Sequence, residues 1–173
     1  MGDARTPKWK CIMMGKARDG CSHQLAHVGK RHNEANSTSI SETVIFKIEF
    51  YDVDSMRIVW HGNYIKFIEK GRCALLDKIG YGYLQMVEDG YAFPIVELKV
   101  KYVRSLAFGN TARIVSTLIE YENRLKIRYE IYNDKTGELC TKAESVQLAV
   151  KMATGETSFV CPEKFIKKVE ALL

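Results

Sequence analysis

The stretch NYIKFIEKGRCALLDKI, residues 63–79, defines the centre of the predicted fold. Its apolar residues recur at spacings of three and four, which predicts a helix. Gly80 supplies a stop signal directly after it. Gly71, in the middle, is unfavourable in a helix, so we expect its missing side chain to allow a close approach by a strand or a ligand. The apolar stripe consists of Tyr64, Ile68, Gly71, Leu75 and Ile79, widened by Phe67 and Ala74.

Strands are predicted on both sides of this helix. Residues 43–51 alternate apolar and polar side chains before it, as a strand with one buried face does. Pro162 opens a short terminal helix. The remaining segments are strands that can pair as successive hairpins, at residues 95–104, 111–121, 124–131 and 139–152. This order predicts an α+β architecture, with a five-stranded antiparallel sheet wrapped around one long central helix.

The charge is distributed unevenly along the 173 residues. The net charge is +5, but residues 1–40 hold seven basic and three acidic side chains, so the remainder is almost neutral. We therefore predict a disordered basic extension, or a tail left from expression, at 1–40 and one folded domain at 41–173. A near-neutral domain does not indicate a nucleic-acid partner, and no apolar run is long enough to predict a membrane span.

The cysteines are five in number and widely scattered. This pattern is typical of reduced thiols and predicts a cytoplasmic protein. Cys21, His23 and His27 lie close together, but the second cysteine of a structural zinc pattern is missing. We therefore predict no metal site and no cofactor.

Residues 50–64, FYDVDSMRIVWHGNY, contain the side chains best suited to chemistry. Asp52 and Asp54 precede the helix, and His61 follows Asp54 by seven residues. Gly62 then allows close approach of the backbone, and the helix start offers unpaired N–H groups to a developing oxyanion. A carboxylate before such a helix can attack a carbonyl or activate water. The residues alone equally allow an aspartate pair that merely caps the helix.

Two motifs carry a family resemblance that covers about residues 43–160. The run Asp52-x-Asp54-x-x-x-x-Val59-x-His61-x-x-Tyr64, followed by Glu69-x-x-Arg72, resembles the 4-hydroxybenzoyl-CoA thioesterase family. It is most similar to the branch of small bacterial acyl-CoA thioesterases that includes the Tol-Pal-associated ones. The second motif is Tyr102-x-Arg104-x-x-x-Phe108-Gly109-Asn110. The resemblance implies a hotdog fold and hydrolysis of an acyl-CoA to a carboxylic acid and coenzyme A.

The resemblance also implies roles for individual residues. Asp54 matches the family's catalytic carboxylate, which acts as nucleophile or general base. His61 and Gly62 match the helix start, whose backbone N–H groups form the oxyanion hole. The His61 imidazole could assist catalysis, or the residue could be structural at the helix start, with its backbone alone acting on the substrate.

Coenzyme A in this family usually lies at a subunit interface, where basic side chains contact its phosphates. The matching positions are Asn123, Arg124 and Lys126, with Arg128 a weaker candidate. Their alternation to a polar strand face leaves solvent-exposed salt bridges as the alternative. A homodimer or homotetramer is expected, because a single curved sheet has unpaired edges.

The chain departs from the family pattern at two positions. Arg57 stands where many members have glycine, and Phe50 stands where some have a functional tyrosine, with Tyr51 beside it on the opposite strand face. Asp52 is interpreted as structural, and an ion pair between Glu69 and Arg72 is predicted. The acyl preference should depend on packing of residues such as Met56, Leu84, Met86 and Phe93.

Two alternative functions remain open. The first is a thioesterase that acts on acyl groups held by acyl carrier protein, which shares the chemistry but needs a basic docking surface. The second is a non-catalytic acyl-CoA sensor, which would bind the same ligand without turnover. Neither the motifs nor the composition excludes either one.

Overall fold

A computed structural model describes residues 39–173 of the chain. The predicted extension at 1–40 and the Cys21, His23 and His27 group fall almost wholly outside these residues. Ile40 is already buried, and its carbonyl accepts the Leu118 N–H at 2.9 Å, so the folded part includes the residue before the predicted boundary. The strands are β1 (Ser41–Lys47), β2 (Tyr91–Ala92), β3 (Ile95–Tyr102), β4 (Thr111–Glu120), β5 (Leu125–Asn133), β6 (Leu139–Gln147), β7 (Ala149–Lys151) and β8 (Thr157–Ser158).

The central helix has the predicted bounds. Helix α1 (Asn63–Ile79) ends where Gly80 adopts a left-handed conformation with φ of 72°. The close approach expected at Gly71 is to strand β4, because a Cβ there would overlap with Ser116 Oγ and lie 2.9 Å from Ile114 Cδ1. The helix therefore packs closely against strand β4 at its glycine.

The main sheet is antiparallel and five-stranded, as predicted, but its pairing order differs from successive hairpins. The order is β1-β4-β5-β6-β3, so β3 pairs with β6 and forms an edge instead of pairing with its sequence neighbour β4. A strand's alternation reports which face is buried and does not specify its partner, so the long-range pairing was not accessible from the pattern.

The predicted long strand at 139–152 is two strands. Strand β6 ends at Gln147, and β7 belongs to a second, three-stranded sheet with the order β2-β7-β8. A short helix α2 (Tyr83–Glu88) occupies part of the segment expected to be loop. The terminal helix α3 (Glu163–Glu170) follows Pro162 as predicted, and it buries Phe165 and Val169 against the core.

The first strand is shorter than predicted. Strand β1 ends at Lys47, and residues Phe50–Asp52 form a single 3-10 turn. The assignment of Phe50 and Tyr51 to opposite strand faces was therefore wrong, and both side chains are largely exposed. Ile48 remains buried and continues the inward face of the strand. This early end lets the chain turn toward the start of α1.

Candidate active site

Asp52 organises the loop between β1 and α1. Its carboxylate is buried and accepts the Glu49 N–H at 2.9 Å. Its backbone carbonyl accepts both the Trp60 N–H at 2.9 Å and the Asn63 side-chain amide at 3.0 Å. These bonds join the 3-10 turn to the helix start, which agrees with the structural interpretation of Asp52. Buried polar groups arranged in this way are costly to leave unpaired.

Asp54 lies on a tight turn that projects from this frame. Its N–H donates to the Ile58 carbonyl at 2.9 Å, and its carbonyl accepts the Arg57 N–H at 2.9 Å. One carboxylate oxygen, Oδ1, accepts the Met56 N–H at 2.8 Å. The carboxylate is thus oriented by the backbone of its own turn. Among the described residues, it has no further hydrogen bond or ion pair, so Oδ2 is free to meet a substrate or a water molecule.

Arg57 has the left-handed backbone of this turn, with φ of 62°. Among residues 39–173 it is the one non-glycine residue with a positive φ. A left-handed conformation costs a residue with a side chain roughly 1–2 kcal/mol, which glycine avoids. The glycine that the family resemblance leads us to expect at this position would avoid that cost.

The start of α1 presents two backbone N–H groups suited to an oxyanion. The amides of His61 and Gly62 donate no hydrogen bond to any residue that the structure describes. They lie at the positive end of the helix dipole, which favours negative charge. A Cβ at Gly62 would overlap with the Trp60 ring, so the close approach predicted at this glycine is made by a neighbouring side chain. Both N–H groups therefore remain without an acceptor in the described part of the chain.

The second motif lies directly against the first. Ile58 pairs with Ala107 in an isolated bridge, and the Val59 N–H donates to the Leu106 carbonyl at 2.8 Å. Asn110 Oδ1 accepts the Ala107 N–H at 2.9 Å and so closes the turn that carries Gly109. These contacts join the segment that follows the Asp54 turn to the second motif. The tertiary structure thus brings together two motifs that the sequence separates by about forty residues.

Asp54 and His61 flank the same loop but do not form a dyad. The His61 side chain is exposed, and no hydrogen bond joins its imidazole to Asp54. Its ring lies beside that of Trp60, with centroids 5.1 Å apart. This arrangement gives more weight to the backbone of His61 than to its imidazole.

Three residues of this site carried no role in the sequence interpretation. Asn63 holds the loop through its side-chain amide, and the Trp60 ring covers Gly62. The Tyr102 hydroxyl donates to the His61 carbonyl at 3.1 Å. The sequence pattern indicates neither side-chain contact, because Gly62 and not Asn63 is the N-cap residue, and the Tyr102 contact depends on strand pairing.

A polar cluster lies further along α1. The predicted ion pair forms, with Arg72 Nε donating to Glu69 Oε2 at 2.8 Å and Arg72 Nη2 to Glu69 Oε1. Arg72 also donates to the buried Gln147 side chain at 3.1 Å. The hydrogen bond from Arg72 lowers the pKa of Glu69, and the same bond raises the pKa of Arg72. The pair therefore fixes the helix to the end of β6.

The residues predicted to bind coenzyme A lie away from His61 within one chain. Tyr102, which contacts His61, pairs with Thr141 on β6. Thr141 in turn pairs with Ile131 on β5. Lys126 and Arg124 precede Ile131 by roughly 16–23 Å along the strand, at about 3.3 Å per residue. A single chain therefore does not bring these groups into one compact site.

Both predicted phosphate-binding cations are ion-paired. Arg124 Nε lies 2.7 Å from Glu120 Oε2, and Lys126 Nζ lies 3.1 Å from Glu144 Oε2. Arg128 also approaches Glu144, at 3.6 Å, and Asn123 is exposed in the preceding turn. This is the salt-bridged arrangement that the sequence left as the alternative. A phosphate would have to compete with these carboxylates.

An apolar cavity of about 480 Å³ lies between α1, α2 and the small sheet. Met86 and Phe93, two of the four residues expected to influence the acyl preference, line it. Leu84 and Met56 do not, and both are exposed. Arg72 and Asp77 supply polar groups at the cavity wall.

Residues 39–173 contain no cluster of three or more histidine, cysteine, aspartate or glutamate residues arranged to hold a metal ion. None of their helices combines the length and the hydrophobicity needed to cross a lipid bilayer.

Comparison with known families assigns the class. Residues 48–169 match the model of the thioesterase-like superfamily, and the chain belongs to that superfamily. This confirms the prediction of a thioesterase. The protein YneP of Bacillus subtilis (strain 168), which has a provisional acyl-CoA thioesterase name, is 38% identical over 106 residues, covering 60% of this chain and 75% of YneP.

Solved structures confirm the hotdog fold. A DHNA-CoA thioesterase from Staphylococcus aureus superimposes with a TM-score of 0.67 at 26% identity, covering 76% of this chain and 92% of that one. A 4-hydroxybenzoyl-CoA thioesterase variant in complex with 4-hydroxybenzoyl-CoA gives a TM-score of 0.66 at 20% identity, covering 75% and 98%. The latter similarity supports the fold alone.

Proposed function

We propose that this protein hydrolyses an acyl-CoA thioester to a carboxylic acid and coenzyme A, with Asp54 as the catalytic carboxylate. The observation that carries the proposal is the position of Asp54 on a backbone-held turn just before a helix start with two unused N–H groups. Thioester hydrolysis needs both parts, because one group must deliver the nucleophile and others must stabilise the oxyanion. The thioesterase-like superfamily and the YneP similarity support the same reaction.

Two versions of the chemistry fit this arrangement. As a general base, Asp54 takes a proton from water while the resulting hydroxide adds to the thioester carbon. The oxyanion forms at the His61 and Gly62 N–H groups, and its collapse expels the coenzyme A thiolate. As a nucleophile, Asp54 itself adds, expels the thiolate and forms an anhydride, which water then hydrolyses. In both versions the thiolate leaves with the electron pair of the cleaved C–S bond and takes up a proton, from Asp54 in the first version and from the hydrolytic water in the second.

We also propose that the active form is a homo-oligomer, at least a dimer. Strand β3 is an edge of the sheet and carries exposed apolar side chains, including Ile95 and Val96. Such an edge favours pairing with another strand. A second copy offers a way to bring the Asn123, Arg124 and Lys126 group near a site from which one chain separates it.

The proposal is tested by Asp54→Asn in an assay of coenzyme A release over a panel from short aliphatic through aromatic to long-chain acyl-CoAs. The asparagine oxygen can still accept the Met56 N–H, so the turn should persist while the carboxylate chemistry is lost. We expect turnover to fall at least about a hundredfold and the thermal midpoint to stay near wild type. Wild-type hydrolysis rates in the variant would exclude the assignment.

Matched substrates separate the proposal from its alternatives. Equal acyl groups on coenzyme A and on acyl carrier protein should show faster release from coenzyme A, because the domain is nearly neutral and lacks a strong basic excess for docking an acidic protein. For the Asp54→Asn variant, the matched control is Glu156→Gln, which removes a carboxylate from an exposed residue paired with Lys151. Thermal stabilisation by acyl-CoA without any product would instead indicate a sensor.

A further inference from the structure

Arg57 retains a long side chain where the backbone favours glycine. Its φ of 62° is left-handed, and every other positive φ among residues 39–173 belongs to a glycine. An outlier that persists next to a candidate site suggests that the side chain has a use that offsets the backbone cost. The question is therefore what the guanidinium binds.

The Arg57 guanidinium has no anionic partner within the described chain. The structure describes six arginines, and the other five are each ion-paired with a carboxylate: Arg72, Arg104, Arg113, Arg124 and Arg128. Arg57 is exposed, and neither Asp52 nor Asp54 lies within 4.0 Å of its charged group. Its positive charge is thus the one arginine charge in this region that remains available to a ligand.

Arg57 lies in the same tight turn as Asp54, the candidate catalytic carboxylate. Its N–H donates to the Asp54 carbonyl at 2.9 Å, which closes a turn between the two residues. The ends of such a turn lie within about 7 Å of each other. A thioester that meets Asp54 would therefore lie within reach of a side chain as long as that of Arg57.

We infer that Arg57 binds an anionic group of the substrate and so contributes to substrate selection; this inference rests on the proposed acyl-CoA hydrolysis. A guanidinium offers paired N–H donors that match the oxygens of a carboxylate or a phosphate. The anion can belong to the acyl group, as a carboxylate, or to coenzyme A, as a phosphate. An exposed cation without a competing carboxylate suits either one.

The experiment compares Arg57→Met and Arg57→Lys with wild type on four thioesters. Hexanoyl-CoA and adipoyl-CoA differ by a terminal carboxylate, and the corresponding pantetheine thioesters lack the nucleotide phosphates. Lys135→Met removes one positive charge from an exposed turn residue and controls for net charge. We expect Arg57→Met to raise KM about tenfold for substrates that carry the recognised anion, with partial retention in Arg57→Lys.

The pattern across substrates identifies the anion. A rise in KM for both coenzyme A thioesters, but not for hexanoyl-pantetheine, supports phosphate binding. A rise confined to the two adipoyl substrates supports carboxylate binding. Arg57→Gly should show the same rise in KM together with a higher thermal midpoint, because the left-handed strain is relieved. KM values within twofold of wild type on all four thioesters, or an equal rise in Lys135→Met, would overturn the inference.

Binding measurements keep this test separate from the proposed reaction. Calorimetry with the non-hydrolysable thioether analogues of hexanoyl-CoA and adipoyl-CoA reports affinity without turnover. Failure of the proposed function appears as absence of product in wild type, whereas failure of the Arg57 inference appears as equal affinities in wild type and Arg57→Met. A loss of affinity of about tenfold in Arg57→Met supports the inference, whatever the turnover.

Discussion

The Tyr102 hydroxyl donates a hydrogen bond to the His61 carbonyl at 3.1 Å, and this contact ties the end of an edge strand to the start of the central helix. Tyr102 ends β3, and its ring also packs edge-on against Tyr64 of α1, with centroids 5.2 Å apart. The His61 carbonyl belongs to the same planar peptide group as the Gly62 N–H, which is one of the two candidate oxyanion donors. The bond therefore fixes the plane of a peptide that the proposed reaction uses.

Removing this hydroxyl should impair turnover more than stability. We expect Tyr102→Phe to lower kcat by roughly three- to tenfold, because the peptide that carries the Gly62 N–H loses the hydrogen bond that orients it. The unfolding free energy should change by no more than about 1 kcal/mol, since Tyr102 is half-exposed. Steady-state kinetics and urea unfolding check both. Tyr121→Phe is the matched control, and equal losses of kcat in the two variants would contradict the assigned role.

Asp52 and Asp54 should separate stability from chemistry. Asp52→Ala leaves the Glu49 N–H without its buried acceptor, so the unfolding free energy should fall by about 1–3 kcal/mol. Turnover per folded molecule should stay within about threefold of wild type, because no step of the proposed reaction uses that carboxylate. Urea unfolding and active-site-normalised rates measure the two effects. A stable Asp52→Ala protein that lacks turnover would contradict this assignment, because it would make Asp52 a catalytic residue instead of a structural one.

His61 should act mainly through its backbone. Its imidazole has no hydrogen bond to Asp54 among the described residues, so His61→Ala should lower kcat by less than about tenfold. The comparison with Asp54→Asn, measured on the same acyl-CoA, distinguishes the backbone role from the imidazole role left open by the sequence. A loss in His61→Ala as large as that in Asp54→Asn would assign the imidazole to catalysis.

Gly71 should not tolerate alanine. Although alanine is the better helix former, its Cβ would overlap with Ser116 Oγ, and overpacking of this kind costs about 1–3 kcal/mol. Ser116→Ala alone should be neutral or stabilising, because the Ser116 hydroxyl is buried without a partner among the described residues. The double variant should recover part of the loss but not all, since Ile114 also lies in the way. Chemical unfolding of all three variants checks this cycle.

The Glu69–Arg72 pair should add stability only above acidic pH. The hydrogen bond from Arg72 holds the pKa of Glu69 below its ordinary value of 4.5, so the folded state binds this proton less tightly than the unfolded state does. The resulting stability is present above about pH 4.5 and is lost as the pH falls through the folded pKa. Glu69 is partly exposed, so the contribution should be no more than about 1 kcal/mol. The unfolding free energies of wild type and Glu69→Gln should differ at pH 7 and converge as the pH falls through the lowered pKa of Glu69.

The sequence by itself determined the local elements with a strong period. The spacing of apolar residues placed α1 at 63–79, and the glycine after it marked its end. Alternation located the bodies of β4, β5 and β6, and the two motifs identified the loop that contains Asp54. These features are local because helix periodicity, strand alternation and capping each depend on residues close in the chain.

Only the tertiary structure decided which segments meet. It placed β3 at the edge beside β6, divided the long last strand after Gln147, and turned residues 50–52 out of the first strand. It also separated Arg124 from His61 within one chain and left Arg57 without an ion-pair partner in the described region. The physical reason is that an alternating pattern encodes the burial of a face, whereas pairing partners and charge contacts are set by packing between residues distant in sequence.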